Sequence, residues 1–211
     1  MTKLKVIGIT GFKQTGKSTF ARYLHDIINA DPVVIPETGN HKWSAERYAF
    51  AKPLKEICHI LFGGTEDNWY GDFKTVPLSQ WAEVQLPVQP TPRKLLQFVG
   101  TELFRHHVNQ DFWLHVAHRY IADIVEETSA NVVIIDDIRF DNEASFLHMH
   151  YDTCIVRLER HDANYKNDGD VHASEKGVSQ NLVDYTYSFH DYDNHLSYAT
   201  DLLRNRMGLI K

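Results

Sequence analysis

The stretch Gly11-Phe12-Lys13-Gln14-Thr15-Gly16-Lys17-Ser18 is the most informative part of this sequence. It matches the pattern G-x-x-x-x-G-K-[ST], whose glycines let the backbone turn so that successive N–H groups point at phosphate oxygens. A β-rich run at 4–10 precedes it, and apolar residues recur at helical spacing from Ser18 to about Asn29. This context predicts a strand, a phosphate-binding loop and a helix, in that order.

The fixed positions of this loop predict a binding site for a phosphate donor. Lys17 is expected to reach the β- and γ-phosphates of ATP, and the Ser18 hydroxyl is expected to bind Mg²⁺. The helix that begins at Lys17 also directs the positive end of its dipole at the same anion. The predicted cofactor-binding residues are Gly11, Lys13, Thr15, Gly16, Lys17, Ser18 and Thr19.

The rest of the sequence alternates between strand-like and helix-like segments. The continuous β-branched run at 132–135 is typical of a parallel strand that is buried on both faces. Three further strands are predicted at 47–50, 153–158 and 185–189, and helices at 53–62, 93–107, 111–128, 141–150 and 194–207. The alternation predicts an α/β fold, a P-loop NTPase-like three-layer sandwich with a mostly parallel sheet. We expect one domain over 1–211, with 51–112 as a helical acceptor-binding region.

Composition excludes several classes of function. The chain has 211 residues and a formal net charge of −6, which disfavours a protein that binds nucleic-acid backbones. No stretch approaches the roughly 20 apolar residues needed to span a bilayer. The two cysteines, Cys58 and Cys154, lie inside apolar runs and are expected to be reduced, buried thiols. We therefore expect a cytoplasmic protein with small-molecule nucleotides as partners, without nucleic acid or membrane, and leave a homodimer open.

Two adjacent acids end the predicted strand at 132–135. Asp136 and Asp137 would lie at the carboxyl edge of the sheet, where ligands bind in open α/β folds. At least one of them is expected to hold Mg²⁺ through water. The alternative is that one aspartate caps the following helix or pairs with Arg139.

Arginines stand at several strand and helix ends, as phosphoryl transfer requires positive charge around the transferred group. Candidates are Arg93, Arg105, Arg139, Arg157 and Arg160. The polar segment 159–181 is predicted to be a lid that excludes water from the reaction. We find no motif for a catalytic base, and a monophosphate acceptor needs none, because its second pKa of about 6 leaves it ionised at neutral pH.

Five segments together resemble the phage-type deoxynucleoside monophosphate kinases. They are the loop 11–18, Phe50-Ala51-Lys52-Pro53-Leu54-Lys55, the run 92–102 (PRKLLQFVGTE), the block 136–143 (DDIRFDNE) and His172-Ala173-Ser174-Glu175. The resemblance implies phosphorylation of deoxynucleoside monophosphates to diphosphates for viral DNA synthesis, in the host cytoplasm. Two departures stand out: Lys52 replaces an expected acid and His190 an expected asparagine.

The resemblance also implies roles for individual residues. Catalytic roles fall on Lys17 and Arg139, with Asp137 facing the phosphates and Arg157 and Arg160 on the lid side. Contacts to the monophosphate and its base fall on Lys55, Arg93, Gln97, Thr101, Arg105 and, from the lid, Glu175. Two other interpretations of the whole sequence remain: a different small-molecule kinase, such as one resembling dephospho-CoA kinases, and a nucleotide-binding module without catalysis.

Overall fold

The computed structural model describes residues 4–30, 43–71, 75–78, 90–161, 177–190 and 194–210. They divide into two compact units. The first combines Met1–Ala49 with Arg119–Lys211, and the second is Phe50–His118. The predicted acceptor-binding region, 51–112, lies within the second unit, and its role stays a prediction.

The first unit is built on one five-stranded sheet with the order β2-β3-β1-β4-β5. Its strands are β1 (Lys5–Thr10), β2 (Ala45–Tyr48), β3 (Val132–Ile135), β4 (Asp152–Arg160) and β5 (Tyr185–Phe189). All four ladders are parallel, so the carboxyl ends of the strands meet at one edge. The predicted parallel sheet is confirmed.

Helices cover the sheet. On one face, α1 (Lys17–Ala30) and α7 (His195–Asp201) pack against alternate residues of β1, β3 and β4, with Ile7, Ile9 and Val156 fully buried among them. The opposite side chains, including Val6 and Val133, are also fully buried. Burial on both faces explains the β-branched runs of these strands and confirms the three-layer α/β fold.

The remaining helices follow the predicted order, except that the short helix Glu66–Trp69 was not predicted. They are α2 (Ala51–Phe62), α3 (Glu66–Trp69), α4 (Pro92–Gln97), α5 (Phe112–Thr128) and α6 (Asp141–His150). The start predicted for α2, Pro53, was two residues late, because proline is tolerated inside a first helical turn. The strand predicted at 47–50 lies instead at Ala45–Tyr48, since α2 begins at Ala51.

Two predicted α-helices change type along their length. After Gln97 the helix α4 continues as a π-helix, Phe98–Val108, and after Asp201 the helix α7 continues as Leu202–Arg206 in the same form. A π-helix closes each hydrogen-bonded turn with one more residue than an α-helix, and it is a rare form. Apolar spacing cannot separate the two forms over so few turns, so the sequence predicted α-helix throughout.

The second unit has its own small core. Cys58, Trp69, Leu78, Leu95 and Val99 pack together from the helices of this unit and the segment 75–78. The Trp113 indole donates a 2.8 Å hydrogen bond to the Gly100 carbonyl and so ties α5 to the π-helix. A Cβ at Gly100 would lie 2.7 Å from Leu54 Cδ2, which explains why the helices can approach so closely there.

Both cysteines are buried and unpaired, as expected. Burial raises the pKa of the Cys58 and Cys154 thiols to about 12, so neither is a thiolate at neutral pH. Among the described residues, no helix combines the length and apolarity required to cross a membrane.

The edge strand β2 depends on one side chain of α1. Asn29 Oδ1 accepts the Ala45 N–H at 2.9 Å, and Asn29 Nδ2 donates to the Ala45 carbonyl at 3.0 Å. We predict that Asn29→Ala lowers the free energy of unfolding by about 1–3 kcal/mol, because the Ala45 N–H and carbonyl both lose their hydrogen bonds to this side chain. Asn29→Asp keeps the acceptor and should lose less. Urea unfolding measures both, and equal stability of Asn29→Ala and the unchanged chain would contradict this account.

Candidate active site

The predicted phosphate-binding loop connects β1 to α1. Gly11 has φ +140° and Gly16 has φ +75°, values that favour glycine. A Cβ at Gly11 would lie only 2.4 Å from the Leu158 carbonyl oxygen of β4, so a side chain there would collide with backbone. The first glycine of the motif is therefore required both by its dihedral angle and by the neighbouring strand.

Lys17 is held at this loop by two hydrogen bonds. Its Nζ donates to the Gly11 carbonyl at 2.8 Å and to the Phe12 carbonyl at 2.6 Å. Ser18, the predicted Mg²⁺ ligand, is exposed in the first turn of α1. The loop thus presents a fixed positive charge and an accessible hydroxyl side by side.

Arg160 also reaches the loop. Its guanidinium donates to the Gln14 carbonyl at 3.4 Å from the end of β4. Gln14 itself has φ +61°, an uncommon angle for a residue with a side chain. The structure therefore brings Lys17 and Arg160 to the same loop, and the sequence had predicted both at the transferred phosphate.

The acidic end of β3 lies beside the end of β1. The two strands pair directly, and the Ile138 N–H donates to the Ile9 carbonyl at 3.2 Å. Asp137 immediately precedes Ile138 in the sequence. Because Ile138 is bonded to Ile9, Asp137 lies beside the end of β1, where the phosphate-binding loop begins. The sheet therefore produces the predicted meeting of the loop and the acidic strand end.

Asp136 forms an ion pair with Arg47 of the neighbouring strand β2. The Arg47 Nη2 and Asp136 Oδ2 atoms are 3.0 Å apart, and the Asp136 side chain is only 12% exposed. Pairing of one aspartate with Arg139 is the alternative that the sequence left open. For Asp136 the β2–β3 pairing supplies Arg47, because it sets that residue opposite Ile134, close to the end of β3.

Arg139 is positioned through its backbone. The buried carboxylate of Glu143 accepts the Arg139 N–H at 2.8 Å and the Phe140 N–H at 3.1 Å. Glu143 is 2% exposed and lies in the first turn of α6, where its negative charge interacts favourably with the helix dipole. These bonds fix the turn that carries Arg139 between β3 and α6.

Arg157 makes contacts that its predicted catalytic role did not suggest. Its guanidinium bonds to the Val178 carbonyl and to the Gln180 side chain. Asp141 holds the same segment from the other side, accepting from Ser179 N and Ser179 Oγ at 2.6 Å each. Arg157 therefore anchors the end of the predicted lid segment, and its role in catalysis stays a prediction.

The predicted lid, 159–181, overlaps regular structure at both ends. Glu159 and Arg160 are the last residues of β4, and a 3₁₀ turn begins at Gln180. Residues 162–176, with Glu175 among them, lie outside the described residues.

Apart from Glu175, the predicted acceptor-binding residues lie in the second unit. Arg93, Gln97, Thr101 and Arg105 recur every four residues along α4 and the π-helix that continues it. Thr101 and Arg105 are 6% and 8% exposed, and Arg105 Nη1 donates to the Gln110 carbonyl at 3.5 Å. Lys55 Nζ lies 4.6 Å from the centre of the Tyr70 ring. Their contacts to a monophosphate stay a prediction.

Sequence reasoning missed the residues that hold this site in place. Glu143 could have been found, since an acid in the first turn of a helix is a recognised capping pattern. No local signal pointed to Arg47 or to His195, whose Nε2 lies 3.1 Å from the Thr15 carbonyl. Both reach the site only through the tertiary fold.

Glu143 provides a test of how the Arg139 turn is held. We predict that Glu143→Ala lowers the free energy of unfolding by about 1–3 kcal/mol, because it leaves two N–H groups without their acceptor. Glu143→Gln keeps a carbonyl oxygen and should retain part of that stability. Denaturant unfolding of both variants makes the comparison, and a Glu143→Ala variant as stable as the unchanged chain would refute the capping role.

Comparisons with known proteins agree with the family resemblance found in the sequence. A sequence model described as deoxynucleotide monophosphate kinase matches residues 88–188. A protein of Acanthamoeba polyphaga mimivirus, assigned as a deoxynucleotide monophosphate kinase, is 30% identical over 151 residues, which cover 67% of each chain. The deoxynucleoside-5′-monophosphate kinase of Escherichia phage T5 is 25% identical, over 84% of this chain and 86% of its own.

Among solved structures, the chain is similar to a dephospho-CoA kinase from Campylobacter jejuni. The TM-score is 0.46 at 9% sequence identity, over 96% of this chain and 97% of that one. The sequence identity to the mimivirus protein, and the share of both chains that it covers, establish the family to which this chain belongs. The chain belongs to the deoxynucleotide monophosphate kinase family and is a nucleoside monophosphate kinase.

Proposed function

We propose that this chain transfers the γ-phosphoryl group of ATP to a deoxynucleoside monophosphate, in line and with Mg²⁺, to give the diphosphate. The observation that carries the proposal is the Lys17 ammonium held at the glycine-bounded loop, beside the acidic end of β3. The names of the sequence relatives support the acceptor class. Viral relatives also support the host cytoplasm as the place of action.

The donor side of the proposal rests on charge and backbone geometry. The loop ends at the N-terminus of α1, a 14-residue helix whose dipole favours an anion there. Lys17 and Arg160 add two positive charges at the same loop. In this arrangement Lys17 would contact the β- and γ-phosphates, and Arg139 and Arg160 would stabilise the charge that develops on the transferred group.

The residues present suit Mg²⁺. Magnesium takes oxygen ligands and is usually bound by one or two protein groups together with substrate phosphates and water. Ser18 offers a hydroxyl, and Asp136 and Asp137 offer carboxylates at the adjacent strand end. Bound there, the ion would neutralise charge on the phosphate oxygens.

Of the two aspartates, we propose Asp137 for the metal, because the resemblance to the deoxynucleoside monophosphate kinases implies that it faces the phosphates. The Arg47 guanidinium already compensates the charge of Asp136 at 3.0 Å. The Asp136 carboxylate would therefore attract a cation less strongly. Its ion pair with Arg47 also connects β3 to β2. Asp137 follows it on the segment anchored to β1.

The acceptor monophosphate has to be positioned but does not have to be deprotonated by the protein. A monophosphate is ionised at neutral pH, so its oxygen can attack without a general base. We propose that Lys55, Arg93, Gln97, Thr101 and Arg105 of the second unit bind this acceptor. The proposal needs no contribution from the buried cysteines.

A panel of acceptors tests the function. We predict ATP-dependent ADP release with at least one of dGMP, dTMP, dCMP or a dCMP derivative, measured in a coupled assay with Mg²⁺. Lys17→Ala should abolish turnover, because it removes the charge at the donor phosphates. Arg204→Ala, which removes an exposed arginine of the first unit, is the matched control and should keep full activity.

The same panel separates the other interpretations. Phosphorylation of dephospho-CoA, with no ADP release on any nucleoside monophosphate, would favour another small-molecule kinase. ATP binding without ADP release on any acceptor would indicate a binding module. Either result would overturn the proposed function.

The two aspartates make a second test. We predict that Asp137→Asn lowers kcat roughly 100-fold or more and raises the Mg²⁺ concentration needed for half-maximal rate, because a transition-state interaction is lost. Asp136→Asn should cost less than about 10-fold, since its charge is already compensated by Arg47. A Mg²⁺ titration of both variants provides the measurement, and a larger effect at Asp136 would reverse the assignment.

A further inference from the structure

A buried histidine from the far end of the chain contacts the phosphate-binding loop. His195, the first residue of α7, is 0% exposed, and its Nε2 lies 3.1 Å from the Thr15 carbonyl oxygen. A carbonyl oxygen can only accept, so Nε2 must carry the proton and donate. The bond connects residues that are 180 positions apart in the sequence.

The imidazole ring is packed on two aromatic neighbours. The Phe189 ring centre lies 4.5 Å away at an interplanar angle of 78°, and the Phe20 ring centre 6.0 Å away at 80°. Both are edge-to-face contacts, which aromatic rings prefer over face-to-face stacking. One neighbour ends β5 and the other lies in α1, so the donor is fixed between the sheet and the helix that starts at the loop.

The hydrogen bond has a consequence for the next peptide group. A trans peptide is planar, so its N–H points away from its C=O. Because the Thr15 carbonyl points at His195, the Gly16 N–H must point to the opposite side. Gln14 and Gly16 both have positive φ, so this part of the loop is held in an uncommon conformation that its surroundings must support.

We propose that His195 is a positioning residue of the donor site, which through the Thr15 carbonyl holds the Gly16 N–H toward the donor phosphates. The inference rests on the proposed donor site and adds a residue from outside the loop to it. An amide fixed in advance binds an anion without a cost of reorientation, so His195 should act on donor affinity and not on acceptor affinity.

Two substitutions at His195 test the role of the donor atom. His195→Phe keeps an aromatic ring but removes Nε2–H, and we expect the Kd of Mg·ADP to rise about 3- to 10-fold, the equivalent of one hydrogen bond. The KM for ATP should rise in parallel, while the KM for the monophosphate changes by less than about twofold, because the residues proposed to bind the acceptor lie in the second unit and not in this loop. His195→Gln restores an N–H donor and should recover most of the ADP affinity. Calorimetric titration gives Kd, and the coupled assay gives the KM values.

A packing control separates positioning from stability. Phe189→Leu removes a ring contact of His195 but leaves its donor in place, so it should lower Tm with little change in the Kd of ADP. A folded His195→Phe variant that binds ADP as tightly as the unchanged chain would overturn the inference. Failure of the unchanged chain to bind ADP would instead count against the proposed function.

The tautomer of the ring gives a readout that does not depend on a variant folding. Nitrogen-15 NMR of the unchanged chain should show His195 protonated at Nε2. A ring protonated at Nδ1 alone could not donate to Thr15 and would refute the proposal even if His195→Phe fails to fold.

Discussion

The turn between β1 and α1 is the constraint on which the rest of the site depends. Under the proposed function, it places backbone amides and the Lys17 ammonium around the donor phosphates, at the start of a helix. Gly11 can occupy its position only without a side chain, because a Cβ would lie 2.4 Å from the Leu158 carbonyl oxygen of β4. The strand order then brings the acidic end of β3 to one side of β1 and Arg160 of β4 to the other.

Residues distant in sequence complete this arrangement. Arg47 compensates Asp136, Glu143 fixes the turn that carries Arg139, and His195 holds the Thr15 carbonyl. Each acts on the position or charge of another group and has no need to touch the substrate. The arrangement of this site therefore depends on the fold around the motif as well as on the motif itself.

The sequence predicted what local patterns determine. The loop 11–18 and the buried run 132–135 carry their own signals, so the parallel sheet and its acidic edge could be foreseen. The π-helix at Phe98–Val108 could not, since its apolar spacing is close to that of an α-helix. The Arg47–Asp136 pair and the His195–Thr15 bond are tertiary contacts without a local pattern, and so are the contacts of Arg157 with Val178 and Gln180.

The central claim is that amides of the loop 11–16 bind the phosphates of the donor. Nitrogen-15 amide spectra recorded while Mg·ADP is added test it most directly. The account predicts that the largest shifts fall on the loop and on the first turn of α1, with Gly16 among them. Saturable binding that leaves these amides unchanged and moves others would contradict it.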